Sequence, residues 1–209
     1  MNLKGLLAYL TGSLVLILVS NGCLSLKTSY TERRSYVLEV RRKGDARMPE
    51  AATPLFVSKF RVVSPYGGKG FVYRKDSVTY ESDYYNEFFA LPSAMLTETA
   101  RNWLAQSGLF RVVPDSADLS DPMYSLRGSV TALYGDFRES QRPSAVIEIE
   151  FSLIREDQDR SQVLYSKRHS ERASVRGDSP ESLVEGWNQA LEKILVSLEA
   201  DLSKMTFSS

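Results

Sequence analysis

The sequence predicts an α+β fold in which a largely antiparallel β-sheet carries two amphipathic helices packed on one face. Several short stretches alternate apolar and polar residues, as strands with one buried face do, and two longer stretches repeat apolar residues at helical spacing. The predicted order is β-β-β-β-α-β-β-β-β-α. Short links between strands favour antiparallel hairpins, and each helix needs an apolar sheet face to cover.

Residues 1–22 are predicted to be a secretory signal peptide. Lys4 and the α-amino group precede a mostly apolar segment, residues 6–19, and the small residues Ser20 and Gly22 follow it. Polar residues interrupt the apolar segment, which is shorter than the roughly 20 apolar residues that a membrane-spanning helix needs. A cleaved leader is therefore favoured over a permanent anchor.

Cys23, the one cysteine of the chain, follows this leader directly. A free thiol is one interpretation, but exported proteins meet oxidising conditions, where an unpaired cysteine is a liability. The other interpretation is that Cys23 becomes the first mature residue and carries lipid, because residues 19–23 resemble a bacterial lipobox. Several acyl chains would then hold the protein firmly on a membrane. The residue after Cys23 is Leu24 and not aspartate, and in this the chain resembles lipoproteins sorted to the outer membrane.

Behind the lipid site the sequence predicts a tether, one domain and a tail. Residues 23–34 are polar and lack any period, which is typical of a tether. Residues 35–204 carry the predicted strands and helices, and residues 205–209 form a C-terminal tail. The 209-residue chain has a formal net charge of zero and no basic run, so we expect no nucleic-acid partner.

The first half of the domain predicts four strands. Residues 36–41 alternate and form the first, while residues 54–63 are apolar on both faces at different points, which indicates a central position or a bulge. Residues 64–70 are predicted to be a hairpin turn. A phosphate-binding loop is disfavoured there, because a helix follows such a loop and no helix begins after residue 70. Residues 71–74 and 77–80 are two short strands.

A helix then begins near Pro92 and ends at Gly108, because the apolar residues change to helical spacing between them. Its predicted apolar face comprises Leu96, Ala100, Trp103 and Leu104. Four further strands follow, at residues 109–113, 124–134, 145–153 and 162–175. The last two are predicted to form a hairpin through residues 156–160.

The final helix has a strong start signal. Ser179 can cap it, Pro180 suits its first position, and Glu181 supplies an early acid. A broad apolar face follows, comprising Leu183, Trp187, Ala190, Leu191, Ile194, Leu195, Leu198 and Leu202.

Catalytic and metal-binding chemistry has few residues to draw on. The chain has one histidine, His169, and its only thiol is the expected lipid site, so neither a Cys-His pair nor a His-rich metal site can form. His169 stands among charged residues and is predicted to be an exposed strand residue. Glu148 and Glu150 share one strand face, where carboxylates are ordinarily solvated rather than catalytic. We therefore expect no enzymatic activity, no catalytic residue, no metal and no cofactor.

Aromatic residues are concentrated between residues 71 and 89. In an extended chain the adjacent Tyr84 and Tyr85 cannot both point inward, so at least one of them should be exposed. Tyrosine and arginine are the side chains that interfaces use as anchors. Tyr73, Arg74, Tyr84 and Tyr85 are therefore the candidate partner-binding residues. The competing interpretation is that the two adjacent tyrosines complete the core and that Arg74 pairs with a nearby acid.

The chain resembles the ABC-type transport auxiliary lipoprotein component family. The resemblance covers most of the mature chain and is carried by four segments: residues 56–63, residues 71–74 (Phe-Val-Tyr-Arg), a tyrosine-rich link into a helix through Pro92, and residues 108–110 (Gly-Leu-Phe). The lipobox and the final amphipathic helix agree with it. Carried over to this sequence are Cys23 as lipid site and Tyr73, Arg74 and Pro92 as motif positions.

This resemblance implies a non-enzymatic lipoprotein anchored in the outer membrane and facing the periplasm. Its partners would be the ABC permease and ATPase and the MCE-domain protein of one transporter, which moves phospholipid or another hydrophobic substrate across the envelope. A homo-oligomer stays open. Two other classes also stay open: an assembly lipoprotein of lipopolysaccharide or secretion machinery, and an envelope hydrolase, which the scarcity of histidine disfavours.

Overall fold

The computed structural model describes residues 32–45, 53–113, 123–139, 141–157 and 160–207. Within these ranges the chain forms nine strands and two helices: β1 (Arg34–Tyr36), β2 (Pro54–Val57), β3 (Arg61–Val62), β4 (Gly70–Arg74), β5 (Tyr80–Phe88), α1 (Pro92–Ser107), β6 (Arg111–Val113), β7 (Met123–Asp136), β8 (Ser144–Asp157), β9 (Arg160–Ser174) and α2 (Pro180–Leu202). No helix in these ranges is long and apolar enough to cross a membrane. The predicted leader and Cys23 lie outside the described residues.

Strand β7 organises the sheet because it is paired along both edges. One edge pairs antiparallel with β8 over almost its whole length, and β8 pairs antiparallel with β9. Three short strands lie end to end on the other edge, since β2, β3 and β4 pair in parallel with successive parts of β7. β5 and β1 extend the sheet beyond β4, and β6 extends it beyond β2. The sheet is mixed, and its long ladders are antiparallel as predicted.

Both helices pack into one core on the same face of the sheet. Alternate β8 residues, including Ile147, Ile149 and Phe151, share this core with the apolar side chains of α1 and α2. Every residue of the two predicted helical faces is buried: Leu96, Ala100, Trp103 and Leu104 on α1, and Leu183, Trp187, Ala190, Leu191, Ile194, Leu195, Leu198 and Leu202 on α2. The predicted α+β architecture is confirmed.

Helix α2 is capped at its start and anchored at its centre. Ser179 Oγ accepts a hydrogen bond of 3.2 Å from the backbone N–H of Ser182, as the capping pattern predicted. The Trp187 side chain is fully buried, with its ring centroid 5.0 Å from that of Phe71, and its Nε1 donates to the Tyr134 carbonyl at 3.3 Å. These contacts tie the helix to β4 and β7.

The strand predicted at residues 54–63 is two strands, β2 and β3. Between them the backbone N–H of Phe60 donates to Thr97 Oγ1 on α1 at 2.8 Å instead of to a neighbouring strand. The Phe60 ring is buried and packs edge to face on Phe151, with 5.7 Å between centroids. The chain therefore leaves the ladder to place a core aromatic, which explains the apolar character on both faces. β2 itself lies between β7 and β6, in a central position.

The first predicted strand is displaced, because β1 ends at Tyr36 and residues 37–45 leave the sheet. Contacts with the helices hold this segment in place. Arg42 donates two hydrogen bonds to the carboxylate of Glu199, at 2.9 and 3.0 Å, and Trp103 Nε1 donates to the same carboxylate at 2.8 Å. Leu38 is buried in the core, and the backbone N–H of Glu39 donates to Asn188 Oδ1 on α2 at 3.2 Å. The alternation beyond Tyr36 thus reflects packing against the helices rather than a strand.

The strand predicted at residues 77–80 is largely a turn. The Asp76 carboxylate accepts hydrogen bonds from the backbone N–H groups of Val78 and Thr79, at 2.8 and 2.7 Å, and this arrangement closes the turn. Strand β5 begins only at Tyr80 and continues to Phe88, through the segment that the sequence suggested was a link.

The prediction that His169 is exposed was wrong. Its residue surface is 5% exposed, because it pairs in register with Ile149 and shares the helix-covered face of the sheet. The Tyr165 hydroxyl lies 2.7 Å from His169 Nε2 and also donates to Asp201 Oδ2 on α2 at 3.1 Å. Burial lowers the pKa of His169, with the positive charge of Lys167 acting in the same direction.

Candidate partner-binding site

The four predicted partner-binding residues lie on two neighbouring antiparallel strands. Tyr73 and Arg74 end β4, and Tyr84 and Tyr85 lie in the middle of β5. In the β4–β5 ladder Tyr73 pairs with Glu81, so Tyr84 and Tyr85 lie three and four residues beyond its partner on β5.

Strand β5 bulges where it carries the adjacent tyrosines. Gly70 pairs with Glu87, and Val72 pairs with Ser82, so Phe71 alone on β4 faces residues 83–86 on β5. Because β5 has more residues here than β4, the extra β5 residues are displaced from the ladder, as in a β-bulge. We name residues 83–86 the tyrosine bulge.

Asp83 holds the tyrosine bulge in shape through its carboxylate. Oδ1 accepts hydrogen bonds from the backbone N–H groups of Tyr85 and Asn86, at 2.7 and 3.0 Å. Oδ2 accepts from the Tyr73 hydroxyl at 2.6 Å and from Asn86 Nδ2 at 2.8 Å. Partial burial acts to raise the pKa of Asp83, but the hydrogen bonds from Tyr73 and Asn86 outweigh it and the pKa lies below its usual range.

The bulge also requires glycine at position 70 on the facing strand. A Cβ atom there would stand 2.6 Å from the backbone oxygen of Asp83 and 2.8 Å from Ser82 Oγ. Both distances are shorter than van der Waals contact allows, and the nearer atom belongs to the backbone. Gly70 thus lets the displaced segment of β5 approach β4 closely.

Both tyrosines of the bulge are exposed, Tyr84 to 66% and Tyr85 to 44%. Their rings contact each other at right angles with centroids 5.3 Å apart. The Arg33 guanidinium lies 4.5 Å from the Tyr84 ring centroid, and its Nε donates to the Tyr84 carbonyl at 3.1 Å. The prediction that at least one of the pair is exposed is confirmed, and the interpretation that both complete the core was wrong.

Tyr73 supports the bulge from the side rather than presenting a free surface. Its ring packs edge to face on Phe137 with centroids 5.5 Å apart, while its hydroxyl binds Asp83. Burial raises the pKa of Tyr73, and the hydrogen bond to Asp83 raises it further. The phenol therefore stays protonated and able to donate at every physiological pH.

Arg74 is engaged within its own turn. Its Nε donates to the Asp76 carbonyl at 3.1 Å, one terminal nitrogen donates to the Ser77 carbonyl at 3.2 Å, and the guanidinium lies 5.5 Å from the Tyr80 ring centroid. No contact with the tyrosine bulge is present among the described residues. The structure thus joins three of the four predicted residues in one site and separates Arg74 from it.

Sequence reasoning missed Arg33, Gly70 and Asp83. A usable signal existed for Asp83, because an aspartate carboxylate readily accepts hydrogen bonds from backbone N–H groups a few residues further on and so closes a turn. Arg33 and Gly70 gave no such signal, since their roles depend on strand pairing between distant segments.

The paired carboxylates of β8 lie beside an arginine. Glu148 and Glu150 share one face of β8 as predicted, and Arg168 stands 3.7 Å from each carboxylate. In the described ranges no group of three or more histidine, cysteine, aspartate or glutamate side chains is placed to hold a metal ion.

Solved structures with distant sequences share this fold. A Xanthomonas campestris protein of family DUF330 has a TM-score of 0.68 at 16% identity, covering 83% of this chain and 100% of its own. An uncharacterized protein has a TM-score of 0.64 at 17% identity, covering 82% and 99%. A hypothetical Chlamydia trachomatis protein has a TM-score of 0.51 at 9% identity, covering 74% and 100%. At these identities the likeness shows the fold alone. No family model and no curated protein matches the sequence.

Proposed function

We propose that this protein is a non-enzymatic, lipid-anchored auxiliary subunit of an ABC/MCE-type envelope transporter and that it contacts its transporter through the tyrosine bulge. The anchor is Cys23, the location is the periplasmic side of the outer membrane, and the substrate class is phospholipid or another hydrophobic molecule. The leader, the lipobox and the family resemblance support the location and the class of partner.

The observation that carries the contact surface is the preorganisation of two adjacent exposed tyrosines. Four hydrogen bonds to the Asp83 carboxylate fix the backbone and the flanking Asn86 before any partner arrives. Ordering flexible groups at an interface costs affinity, and a surface already fixed in its bound shape avoids much of that cost. Tyrosine also combines a large contact area with a polar end, which suits it to anchor an interface.

The position of the bulge favours a partner that contacts the start of the domain. β1 lies beside β5, with Arg34 opposite Asn86 of the bulge. Arg33, which covers the Tyr84 ring, directly precedes β1 and lies within the predicted tether of residues 23–34. In the proposed complex the transporter component would therefore contact the domain close to the point where the tether joins it.

The test is pull-down of the MCE-domain protein by the double variant Tyr84→Ala with Tyr85→Ala. Truncation of one interface anchor commonly costs about 2 kcal/mol, or about thirtyfold in affinity, so the double variant should lose the partner. A matched control is Val163→Ala, which shortens a 60% exposed side chain on β9 at the opposite edge of the sheet. The control should retain the partner.

Melting temperatures separate a contact role from a folding role. Because both tyrosines are exposed, the double variant should melt within a few degrees of the parent protein. A folded double variant that still captures the MCE-domain protein would place the contact surface elsewhere. Failure of the parent protein to capture any transporter component would refute the proposed partner class.

A further inference from the structure

A second polar site lies at the end of the sheet opposite the β8–β9 turn. The ends of β7, β8 and β9 and the described residues of the β7–β8 loop line an open cavity of about 450 Å³. Its lining comprises Asp136, Arg138, Glu139, Arg142, Ser144, Arg172 and Ser174. We call it the arginine pocket. The partner-binding proposal uses none of these residues.

A buried carboxylate organises two of the three arginines. The Asp136 side chain is 4% exposed and accepts hydrogen bonds from Arg138 Nε and a terminal nitrogen of Arg138, at 3.0 and 2.8 Å. Its Oδ2 also accepts from Arg172 at 2.9 Å. The bonds from Arg138 and Arg172 hold the pKa of Asp136 well below its usual range. The carboxylate is therefore charged at every physiological pH and keeps both guanidinium groups in fixed positions.

Many donors of the arginine pocket are left without a protein acceptor. Arg172 uses one terminal nitrogen for Asp136 and Ser144, so its Nε and other terminal nitrogen have no acceptor among the described residues. The Arg142 guanidinium likewise has no hydrogen-bond acceptor in the described part of the chain. Arg138 and Arg172 are 41% and 50% exposed at their side chains, so their outer edges are accessible.

Charge in the arginine pocket favours an anion. Three guanidinium groups face two carboxylates, those of Asp136 and Glu139, which leaves an excess of one positive charge. Guanidinium forks bind the oxygens of carboxylates and phosphates in pairs. A carboxylate offers two oxygens and is satisfied by one fork, whereas a terminal phosphate group offers three and can accept from several forks at once.

We propose that the arginine pocket binds a phosphate group, with Arg142 and the outer edges of Arg138 and Arg172 as donors and the Ser144 and Ser174 hydroxyls beside them. Asp136 acts as a positioning residue that orients two arginines without touching the ligand. The phosphate belongs either to a free phosphate monoester or to a lipid whose headgroup is a terminal phosphate, as in phosphatidic acid, and the chemistry of recognition is the same for both. This proposal does not depend on the transporter role.

Isothermal titration calorimetry on the full-length protein in an uncharged, phosphate-free detergent tests the site. Three probes at matched ionic strength are inorganic phosphate, the short-chain lipid dihexanoylphosphatidic acid, whose headgroup is a terminal phosphate, and succinate. Arg142→Gln removes an exposed guanidinium that makes no hydrogen bond or ion pair within the described residues, so folding should be unaffected and phosphate binding should weaken about tenfold. The control is Arg168→Gln, which makes the same charge change beside Glu148 and Glu150.

The proposal is supported if the parent protein binds phosphate saturably, if the affinity falls in Arg142→Gln, and if the affinity of Arg168→Gln stays within about twofold of the parent value. A lipid probe that binds about tenfold more tightly than phosphate assigns the site to a headgroup, and equal binding assigns it to a free phosphate ester. The proposal is overturned if no saturable binding occurs, if both variants weaken it equally, or if succinate binds as tightly as phosphate.

Discussion

The Tyr73 hydroxyl donates a 2.6 Å hydrogen bond to Oδ2 of Asp83 and so joins the end of β4 to the base of the tyrosine bulge. The other three hydrogen bonds to this carboxylate come from Tyr85 and Asn86, within the bulge itself. Of the four hydrogen bonds to Asp83, the one from Tyr73 is therefore the one that ties the bulge to β4.

Tyr73→Phe should destabilise the domain by roughly 1–2 kcal/mol, because it leaves a partly buried carboxylate without one of its donors. The bulge should persist, since the three local hydrogen bonds to Asp83 remain. Urea unfolding of the variant measures the loss. Tyr84→Phe removes an exposed hydroxyl and should leave stability unchanged; an equal loss in both variants would contradict this account.

Gly70→Ala should destabilise the domain by roughly 1–3 kcal/mol, because the new methyl group meets the backbone of Asp83 and the strands must separate. Gly68→Ala is the matched control. A methyl group on Gly68 would have nothing within 4 Å, and this residue has no positive φ, so its substitution should be neutral or slightly stabilising. Denaturant melts compare the two, and equal stabilities would show that the close approach of β5 to β4 is unimportant.

Trp187→Ala should cost roughly 3–5 kcal/mol of unfolding free energy, because it empties the centre of the core between α2 and the sheet. Val196→Ala on the same helix shortens a side chain that is 52% exposed and should change stability by less than about 0.5 kcal/mol. A loss below about 1 kcal/mol for Trp187→Ala would mean that this face of α2 tolerates rearrangement.

The sequence predicted best the features that depend on local periodicity. The alternation around Ile147 and Ile149 and the apolar face of α2 each repeat over many residues, so one irregular position does not change the assignment. Capping by Ser179 is local too, because the hydroxyl bonds a backbone group three residues away. These features were sufficient for the α+β architecture.

Features set by distant contacts were not predictable from the sequence. His169 is buried because it shares the helix-covered face of the sheet with Ile149, although its sequence neighbours are charged. There its Nε2 lies 3.8 Å from Oδ2 of Asp201 on α2, 32 positions along the chain. The tyrosine bulge depends on which β4 residues face β5, and the arginine pocket depends on Arg172 meeting Asp136. Strand register decides all three, and local sequence patterns do not reveal how distant strands pair.

Cys23→Ser should abolish acylation, because it removes the chain's one thiol. The variant should accumulate as an uncleaved or soluble species. Metabolic labelling with a fatty-acid analogue, followed by membrane fractionation, measures both effects. Ser20→Ala leaves Gly22 and Cys23 intact and should still be labelled; unchanged lipid incorporation in Cys23→Ser would refute lipidation at this residue.

His169 should make the domain less stable as the pH falls below about 6.5, the ordinary pKa of histidine. Burial lowers its pKa in the folded protein, with Lys167 adding to this effect and Asp201 and Glu171 opposing it. In the window between the folded and unfolded pKa values the unfolded chain binds a proton that the folded chain does not, so protons favour unfolding. Above that window the imidazole is neutral in both states, and its contribution to the free energy of unfolding does not change with pH.

Urea unfolding between pH 8 and pH 5 measures this dependence. The chain has one histidine, so a decline confined to this range is assigned readily. His169→Gln removes the titrating group and can still offer an amide to the Tyr165 hydroxyl, which lies 2.7 Å from Nε2 in the parent protein. The variant should show a flatter stability profile across the range. A parent protein equally stable at pH 8 and pH 5, or a decline that persists unchanged in His169→Gln, would show that the buried imidazole does not control stability.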